Sequence, residues 1–412
     1  MTVGVRHDDL RRQNRAMVIA AARRAGQPSR TEIAAATALS HSTISTISAS
    51  LIEERILIEA VGGEAAAARR GRPQVALSLN PGAASVVAVV LSLNALSAAL
   101  IDYGGRVIAL DVSRPSTPTL SRAELVAAVE AAVRRVLARS GAEAGPVLRM
   151  ALGIQGITDS AARRLLWSPI TPHSDVAFAD ALEAEFGVPV TVENDCNMIA
   201  AALRGRAPQR YRDDFVAVLL SNGIGMGLVL RNRVFSGARS SGGEFGHMTH
   251  IPDGALCRCG RRGCIEAYAG NYAILRHARG ESEDAPPAAD IDDATMAELA
   301  AAARAGPGRE REAFARAGEA LGFGLGSVFS LIDPVPVALV GHGTSAFDMI
   351  EPALRAALAR TAGGQSEAAL AFDLEADETP LIREGCARQA LAFLDQEVFA
   401  PGLAAGQVSR IA

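Results

Sequence analysis

The chain has 412 residues, of which 49% are hydrophobic, and this length is enough for two or three domains with sizeable cores. Its net charge of −4 is unevenly distributed: residues 1–80 carry 11 Arg and 7 acidic residues, and the remainder carries 30 Arg and 38 acidic residues. Only the first part therefore has a charge suited to contact with nucleic acid. Because no apolar run reaches the roughly 18 residues of a membrane span and the N-terminus is charged, we predict a cytoplasmic protein with no membrane partner.

The first eighty residues have the pattern of a helix-turn-helix followed by a wing. Helices are predicted over residues 10–25, 30–37 and 40–54, and Ser29 with Glu32 forms a capping box before the second. Residues 56–59 and 75–79 read as two wing strands, and the Arg-Gly-Arg-Pro segment between them is narrow and cationic, as a minor-groove contact requires.

The third helix and the wing carry the small polar and cationic side chains expected at base edges and phosphates. The predicted DNA-binding residues are Ser42, Thr43, Ser45, Thr46, Arg70 and Arg72. An alternative is a small helical dimerisation module with a solvated arginine loop.

The segment after residue 80 has the alternation of strands and helices that is typical of an α/β fold. A buried strand over residues 188–192 delivers Glu193, Asn194 and Asp195 at its C-terminal end, where open α/β sheets place ligands. Asp195 could therefore act as a general base, or it could cap the following helix, and both roles are compatible. The glycines of residues 223–227 could cradle a phosphate through backbone N–H groups, although a glycine-rich hairpin would have the same sequence.

A cysteine-rich stretch offers the ligands of a metal site. His247, Cys257, Cys259 and Cys264 have a His-x9-Cys-x-Cys-x4-Cys spacing, and three thiolates with one imidazole suit a tetrahedral Zn²⁺. All four positions are then filled by the protein, so the predicted zinc is structural. Ordinary buried thiols and a disulfide are the alternatives, and disulfides are rare in cytosolic chains.

The chain resembles the ROK family (repressor, open reading frame, kinase) in several motifs that occur in order. These are Glu193-Asn194-Asp195, the glycines of residues 223–227, Gly243 to His247, Cys257 to Glu266, and Val340-Gly-His-Gly343. The resemblance implies two actin-like, hexokinase-like α/β lobes with a sugar in the cleft. It places Asn194, Asp195, Glu244, His247 and Glu266 around the sugar hydroxyls.

The resemblance and the residue pattern together give a domain plan. Residues 1–80 are predicted to form the winged helix-turn-helix, residues 81–195 the first lobe, and residues 196–384 the second lobe with the zinc motif. The C-terminal helix, residues 385–412, is predicted to return to the first lobe.

One departure from the family pattern bears on activity. Family kinases have an Asp-x-Gly-Gly-Thr phosphate loop on the first hairpin, but the equivalent place here reads Leu91-Ser-Leu-Asn-Ala95. It has no carboxylate to organise Mg²⁺ and no glycine pair. Gln155 also replaces the usual proline of the sugar-side turn.

Three functions remain open on these grounds. The first is a sugar-responsive repressor that acts as a homodimer or homotetramer on a double-stranded DNA operator, has no enzymatic activity, and retains Asp195 as a vestigial base. The second is a sugar kinase with an appended DNA-binding module. The third is a constitutive DNA-binding protein with an inactive sugar lobe.

Overall fold

We describe a computed structural model, which covers residues 7–60, 75–141, 144–238, 242–288, 290–364 and 370–402. Its N-terminal part consists of α1 (His7–Ala25), α2 (Arg30–Thr37), α3 (His41–Glu53), β1 (Leu57–Glu59) and β2 (Leu77–Leu79). The two strands pair antiparallel. Arg70 and Arg72, which were predicted at the tip between them, lie outside the described residues.

Local sequence signals account for the bounds of these helices. The Ser29 hydroxyl accepts the Glu32 N–H at 3.3 Å and the Glu32 carboxylate accepts the Ser29 N–H at 2.8 Å, so the predicted capping box is present. Ser40 caps α3 by accepting the Thr43 N–H. Ile44 and Leu51 of α3 are fully buried, which holds the helices together around an apolar centre.

The first lobe is built on a five-stranded mixed sheet with the order β5-β4-β3-β6-β9. Its elements are β3 (Ser85–Ser92), β4 (Ala95–Asp102), β5 (Val107–Ser113), α4 (Arg122–Ala138), β6 (Val147–Ile154), β7 (Ile157–Thr158), β8 (Leu165–Trp167), α5 (Phe178–Phe186) and β9 (Val190–Asn194). Three strands form an antiparallel meander, and β6 and β9 extend it in parallel.

The second lobe repeats this topology with the order β12-β11-β10-β13-β14. Its elements are α6 (Asp195–Arg206), β10 (Phe215–Leu220), β11 (Ile224–Leu230), β12 (Arg233–Val234), α7 (Glu266–Ala269), α8 (Asn271–Ala278), α9 (Asp293–Ala305), α10 (Arg309–Ile332), β13 (Val337–Val340), α11 (Phe347–Leu358) and β14 (Phe372–Glu375). Again an antiparallel meander is followed by two parallel strands. The α/β class with two similar mixed sheets is therefore confirmed.

The chain ends on α12 (Glu378–Phe393), which packs against β3 and β6 of the first sheet and along α6. A turn of π-helix, Leu394–Phe399, continues it. The helix begins at Glu378, seven residues before the predicted start at residue 385, and Asp377 caps it by accepting the Thr379 N–H. None of the helices in the described ranges is long and apolar enough to cross a membrane.

Candidate functional site

The predicted sugar residues Asn194 and Asp195 lie where β9 ends and α6 begins. Asn194 is the N-cap, since its Oδ1 accepts the Asn197 N–H at 3.1 Å, and its Nδ2 donates to the Gly156 carbonyl at 2.9 Å. Asp195 is the first helical residue. The side chain that caps α6 is therefore that of Asn194, and the Asp195 carboxylate is not the N-cap.

Asp195 has the environment of a proton acceptor. It is only 4% exposed, and one carboxylate oxygen accepts the Cys196 N–H at 2.8 Å. Burial raises its pKa to about 7, and the negative charge of Glu244 contributes in the same direction. A carboxylate with such a pKa is suited to take a hydroxyl proton or to hold a hydroxyl by a strong hydrogen bond.

All five predicted sugar residues line one small cavity. Four of them bring carboxylate or imidazole groups to it, and Asn194 brings an amide. The lining also includes residues of both lobes that were not predicted to bind sugar: Gln155, Trp167, Pro169, Ile224 and Met226. The cavity volume is about 40 Å³, room for about three waters. The cavity is partly open to solvent, so this volume does not set the size of a ligand.

His247 faces both the cavity and the cysteine cluster. Its Nε2 lies 3.9 Å from Glu244 Oε2, and its Nδ1 lies 3.7 Å from Cys257 Sγ. Burial raises the pKa of Glu244. The two ring nitrogens of His247 thus face two different groups of side chains, Nε2 the cavity and Nδ1 the cysteines.

Glu266 is held more tightly than a free ligand-binding carboxylate. It is 2% exposed, its Oε2 accepts the Ile224 N–H at 3.1 Å, and its Oε1 accepts the Tyr272 hydroxyl at 3.3 Å. Glu266 therefore connects α7 to β11, and it also lines the cavity.

Trp167 is a cavity residue that the sequence analysis did not identify. It ends β8 and meets the His247 ring edge-on, with 5.6 Å between ring centroids and 81° between planes. It is the single tryptophan of the chain. Its rarity was the only signal in the sequence, since its place in the cavity depends on the short β7–β8 hairpin.

The four predicted metal ligands lie together. His247, Cys257, Cys259 and Cys264 each offer one ligand atom, and these atoms all lie within 4.8 Å of one another. The Cys259 and Cys264 sulfurs are 3.7 Å apart. Zn–S bonds of roughly 2.3 Å at tetrahedral angles give a sulfur separation of about 3.8 Å, so the arrangement fits such an ion.

The loop that carries three of these ligands needs glycine at two positions. Gly260 and Gly263 have φ of +82° and +75°, and a Cβ on Gly263 would overlap the Ile251 carbonyl oxygen. The Gly260 N–H donates to the Cys257 carbonyl at 3.0 Å. These turns fold the cysteines back on His247.

The turn at Leu93–Asn94, where the resemblance predicts the phosphate loop of family kinases, uses its backbone donors internally. The Leu93 N–H donates to Gln155 Oε1 at 3.3 Å, and the Asn94 N–H donates to Thr117 Oγ1 at 3.1 Å. The Asn94 side chain also lies 3.5 Å from the Asp290 carboxylate. The turn therefore presents a neighbouring negative charge and two occupied N–H groups, which oppose phosphate binding.

The glycine-rich segment after β10 forms a hairpin, which is one of the two structures predicted for it. Gly225 and Gly227 lie within β11, where α6 packs closely on the strand. A Cβ on Gly227 would overlap the Cys196 carbonyl oxygen of α6. These glycines allow close helix packing.

The predicted DNA-binding side chains of α3 are near its N-terminus. Ser42, Ser45 and Thr46 are exposed, and Thr43 is half-buried with its hydroxyl 2.8 Å from that of Ser40. Thr46 donates to the Ser42 carbonyl at 3.0 Å. One face of α3 thus presents small polar groups to solvent.

These features define a class of protein: two α/β lobes of matching topology enclose a polar cavity beside a His/Cys₃ cluster and follow a small helical module. The profile of the ROK family matches residues 91–379, and the chain belongs to that family.

Relatives of two kinds are similar to this chain. A glucokinase of Streptomyces coelicolor is 27% identical over 260 residues, which is 61% of this chain and 79% of the relative. The xylose repressor of Caldicellulosiruptor bescii is 23% identical over 324 residues, 77% and 80% of the two chains. The DNA-binding transcriptional dual regulator NagC of Escherichia coli is 24% identical over 338 residues, 81% of each.

Solved structures share the fold. A ROK family transcriptional regulator described as a homolog of the E. coli MLC protein has a TM-score of 0.76 at 22% identity, covering 97% of this chain and 99% of its own. A ROK family glucokinase from Streptomyces griseus, in complex with glucose and AMPPNP, has a TM-score of 0.59 at 24% identity, covering 74% and 99%. The regulator thus matches the N-terminal part as well as the lobes.

Proposed function

We propose that the chain is a sugar-responsive DNA-binding repressor whose DNA affinity falls when a free sugar binds between the lobes. The observation that carries this proposal is the contrast within the cleft: Asp195, Glu244 and His247 line one cavity, while the Leu93 and Asn94 N–H groups, at the place of the kinase phosphate loop by resemblance, already donate to other side chains. A sugar pocket without a phosphate loop is expected of a sensor.

The negative charge of the cavity favours a neutral sugar as the effector. Asp195, Glu244 and Glu266 bring three carboxylates to the cavity, and none of the described residues that line it is arginine. These oxygens accept hydrogen bonds from hydroxyls and repel a phosphate group. Loss of one such hydroxyl from a ligand leaves a buried acceptor unpaired, at a cost of ~1–3 kcal/mol.

Residues 1–80 are proposed as a winged helix-turn-helix that reads DNA through α3 and the arginine tip. Ser42, Thr43, Ser45 and Thr46 would contact the major groove, and Arg70 and Arg72 a neighbouring minor groove. A homodimer or homotetramer would read a roughly palindromic site with half-sites about 10 bp apart or a multiple of that spacing. Residues 81–195 and 196–384, with the C-terminal helix, are proposed as the effector-binding lobes.

Zinc is proposed as a structural ion on His247, Cys257, Cys259 and Cys264. Because all four donors come from the protein, the ion would stabilise the loop and hold the His247 ring, with no position left for a reacting water. His247 Nε2 would then be fixed toward Glu244 and the sugar.

The alternative of a sugar kinase is tested with the purified full chain, Mg·ATP and glucose, xylose or N-acetylglucosamine. Our proposal expects no sugar-dependent ADP release above background. Turnover of roughly 1 per second or faster would contradict it.

The sugar-binding half of the proposal is tested through Trp167 fluorescence, which reports on the cavity because the chain has one tryptophan. Titration with the same three sugars should give a saturable signal with at least one of them. The Glu244→Ala variant should lose that signal, whereas Glu185→Ala, a change far from the cavity lining, should keep it. Equal binding by wild type and Glu244→Ala would contradict the assigned site.

A further inference from the structure

We propose that α12 and its π-helical turn carry the state of the cleft to the N-terminal module, and that Asp395 and Arg23 are the positioning residues of this connection. The inference rests on the proposed function for its biological meaning, but its contacts are those of the described structure alone. It assigns regulation to a helix that contributes no lining residue to the sugar cavity.

The module end of the connection is a buried ionic junction. Asp395 is 4% exposed and accepts two bonds from Arg23 of α1, at 2.7 and 2.8 Å, and one from the Tyr103 hydroxyl at 2.6 Å. Arg23 also donates to the Tyr103 carbonyl at 2.9 Å. One carboxylate thus joins three parts of the protein: the N-terminal module, the turn after β4, and the C-terminal segment.

Other contacts between α1 and the C-terminal segment are weaker or use the backbone. Arg15 donates to the Phe399 carbonyl at 2.9 Å, and Arg12 pairs with Glu397 at 2.5 Å. The Arg12 and Glu397 side chains are 46% and 49% exposed, so solvent screens this pair. The Asp395 junction is buried and hydrogen-bonded at fixed geometry, so it can transmit a displacement.

The cleft end of α12 touches the strand that carries the sugar residues. Gln389 Nε2 donates to Glu193 Oε1 at 2.8 Å, and Glu193 directly precedes Asn194 and Asp195. Gln389 and Asp395 are six residues apart on one continuous helical segment. The path from the sugar cavity to α1 therefore crosses two hydrogen-bonded contacts and one stretch of helix.

Packing makes α12 move with α6. A Cβ on Gly385 of α12 would overlap the Met198 carbonyl of α6, and a Cβ on Gly153 of β6 would lie 3.0 Å from Cys386 Sγ. Because atoms of these elements are already in contact at the two glycines, a shift of α6 on sugar binding displaces α12 as well. The π-helical turn that follows is a rare backbone form that occurs frequently at functional sites, and it positions Asp395.

Amide hydrogen exchange of the full-length protein tests the connection without any ligand. Gln389→Ala perturbs the cleft end, and we expect faster exchange in the π-helical turn and in the half of α1 that contains Arg23. The control Arg388→Ala changes a neighbouring, exposed residue and should leave α1 unchanged. Unchanged α1 exchange in Gln389→Ala, with faster exchange limited to residues near 193 and 389, would overturn the proposal.

A second measurement compares DNA affinity with and without a sugar in Asp395→Asn and Arg23→Gln. The ratio of the two DNA affinities should fall toward one in both variants. Their sugar affinity, measured by Trp167 fluorescence, should equal that of the wild type. Arg12→Gln is the matched control between the same two elements and should keep the wild-type ratio. Wild-type ratios in both junction variants would refute the connection. A wild-type protein that binds sugar without any change in DNA affinity would refute the proposed function, and the hydrogen-exchange experiment would then decide whether the connection exists.

Discussion

Asp195 shows at the residue scale how the fold prepares a functional group. Asn194 takes over the capping of α6, so Asp195 keeps one oxygen for another partner while its burial raises the pKa to about 7. The buried charge of Asp195 lowers the free energy of unfolding. Since the folded protein binds this proton more tightly than the unfolded chain, Asp195 lowers stability as pH rises from about 4 to about 7, and its full cost is present above pH 7.

This sign gives a pH prediction. Asp195→Asn removes the buried charge, so the variant should be more stable than wild type at pH 8 and about equal to it at pH 4. The expected difference at pH 8 is up to about 4 kcal/mol, because the folded-state pKa of about 7 lies well above the ordinary value of about 3.9. Denaturant unfolding at both pH values measures the difference. Asp213→Asn, at a residue 78% exposed, is the control and should show no such pH dependence. A stability difference that is the same at pH 4 and pH 8 would contradict the assigned environment of Asp195.

The cysteine cluster gives a second residue-scale prediction. Elemental analysis of the purified protein should find one zinc per chain, and Cys264→Ala should lose it and unfold at a lower temperature because the loop and His247 lose a common anchor. Cys386→Ala is matched, as both cysteines are buried, and it should retain the metal. Zinc-free wild type with normal sugar binding would show that the thiols have a packing role.

At the scale of elements, the packing of α6 on β11 explains the glycines that the sequence left ambiguous. Gly227→Ala should cost ~1–3 kcal/mol of unfolding free energy through overpacking, and it should also weaken sugar binding, since Asp195 begins the displaced helix. Gly306→Ala is the control, because a Cβ there meets nothing within 4 Å. Wild-type stability of Gly227→Ala would mean that α6 does not lie so close to the strand.

Local signals were sufficient where short-range physics decides the structure. The predicted bounds of α2 agree with the structure because the Ser29–Glu32 capping box depends on residues three apart. Local signals do not indicate where α5 begins: Val176 forms a β-bridge with Leu165, and the helix starts only at Phe178. That bridge joins residues eleven apart, and no periodicity in the sequence indicates it.

In the candidate site, too, local motifs were predictable and long-range contacts were not. Motif order was enough to bring Asp195, Glu244 and His247 together, because each follows a strand or turn whose place in the fold is fixed. Trp167 and the Asp395 junction were not foreseen, since Trp167 reaches the cavity at the end of a three-residue strand and Arg23 meets Asp395 across 372 positions. Contacts of that range depend on the packed fold.

At the scale of the whole molecule, two lobes of equal topology both contribute residues to one cavity that is partly open to solvent. Sugar binding can change DNA affinity only to the extent that the DNA-competent and DNA-incompetent conformations differ in their affinity for the sugar. Coupling of ~1–3 kcal/mol would change DNA affinity by about 5- to 150-fold.

The most direct test of the account is the affinity of the full-length protein for its operator DNA, selected from a random library, with and without the sugar that changes Trp167 fluorescence. We predict that the sugar weakens wild-type DNA binding by about 5- to 150-fold, and that Glu244→Ala binds the same DNA equally well with or without sugar. Wild-type DNA affinity that ignores every sugar bound in the cavity, or a Glu244→Ala variant that still responds, would contradict the account.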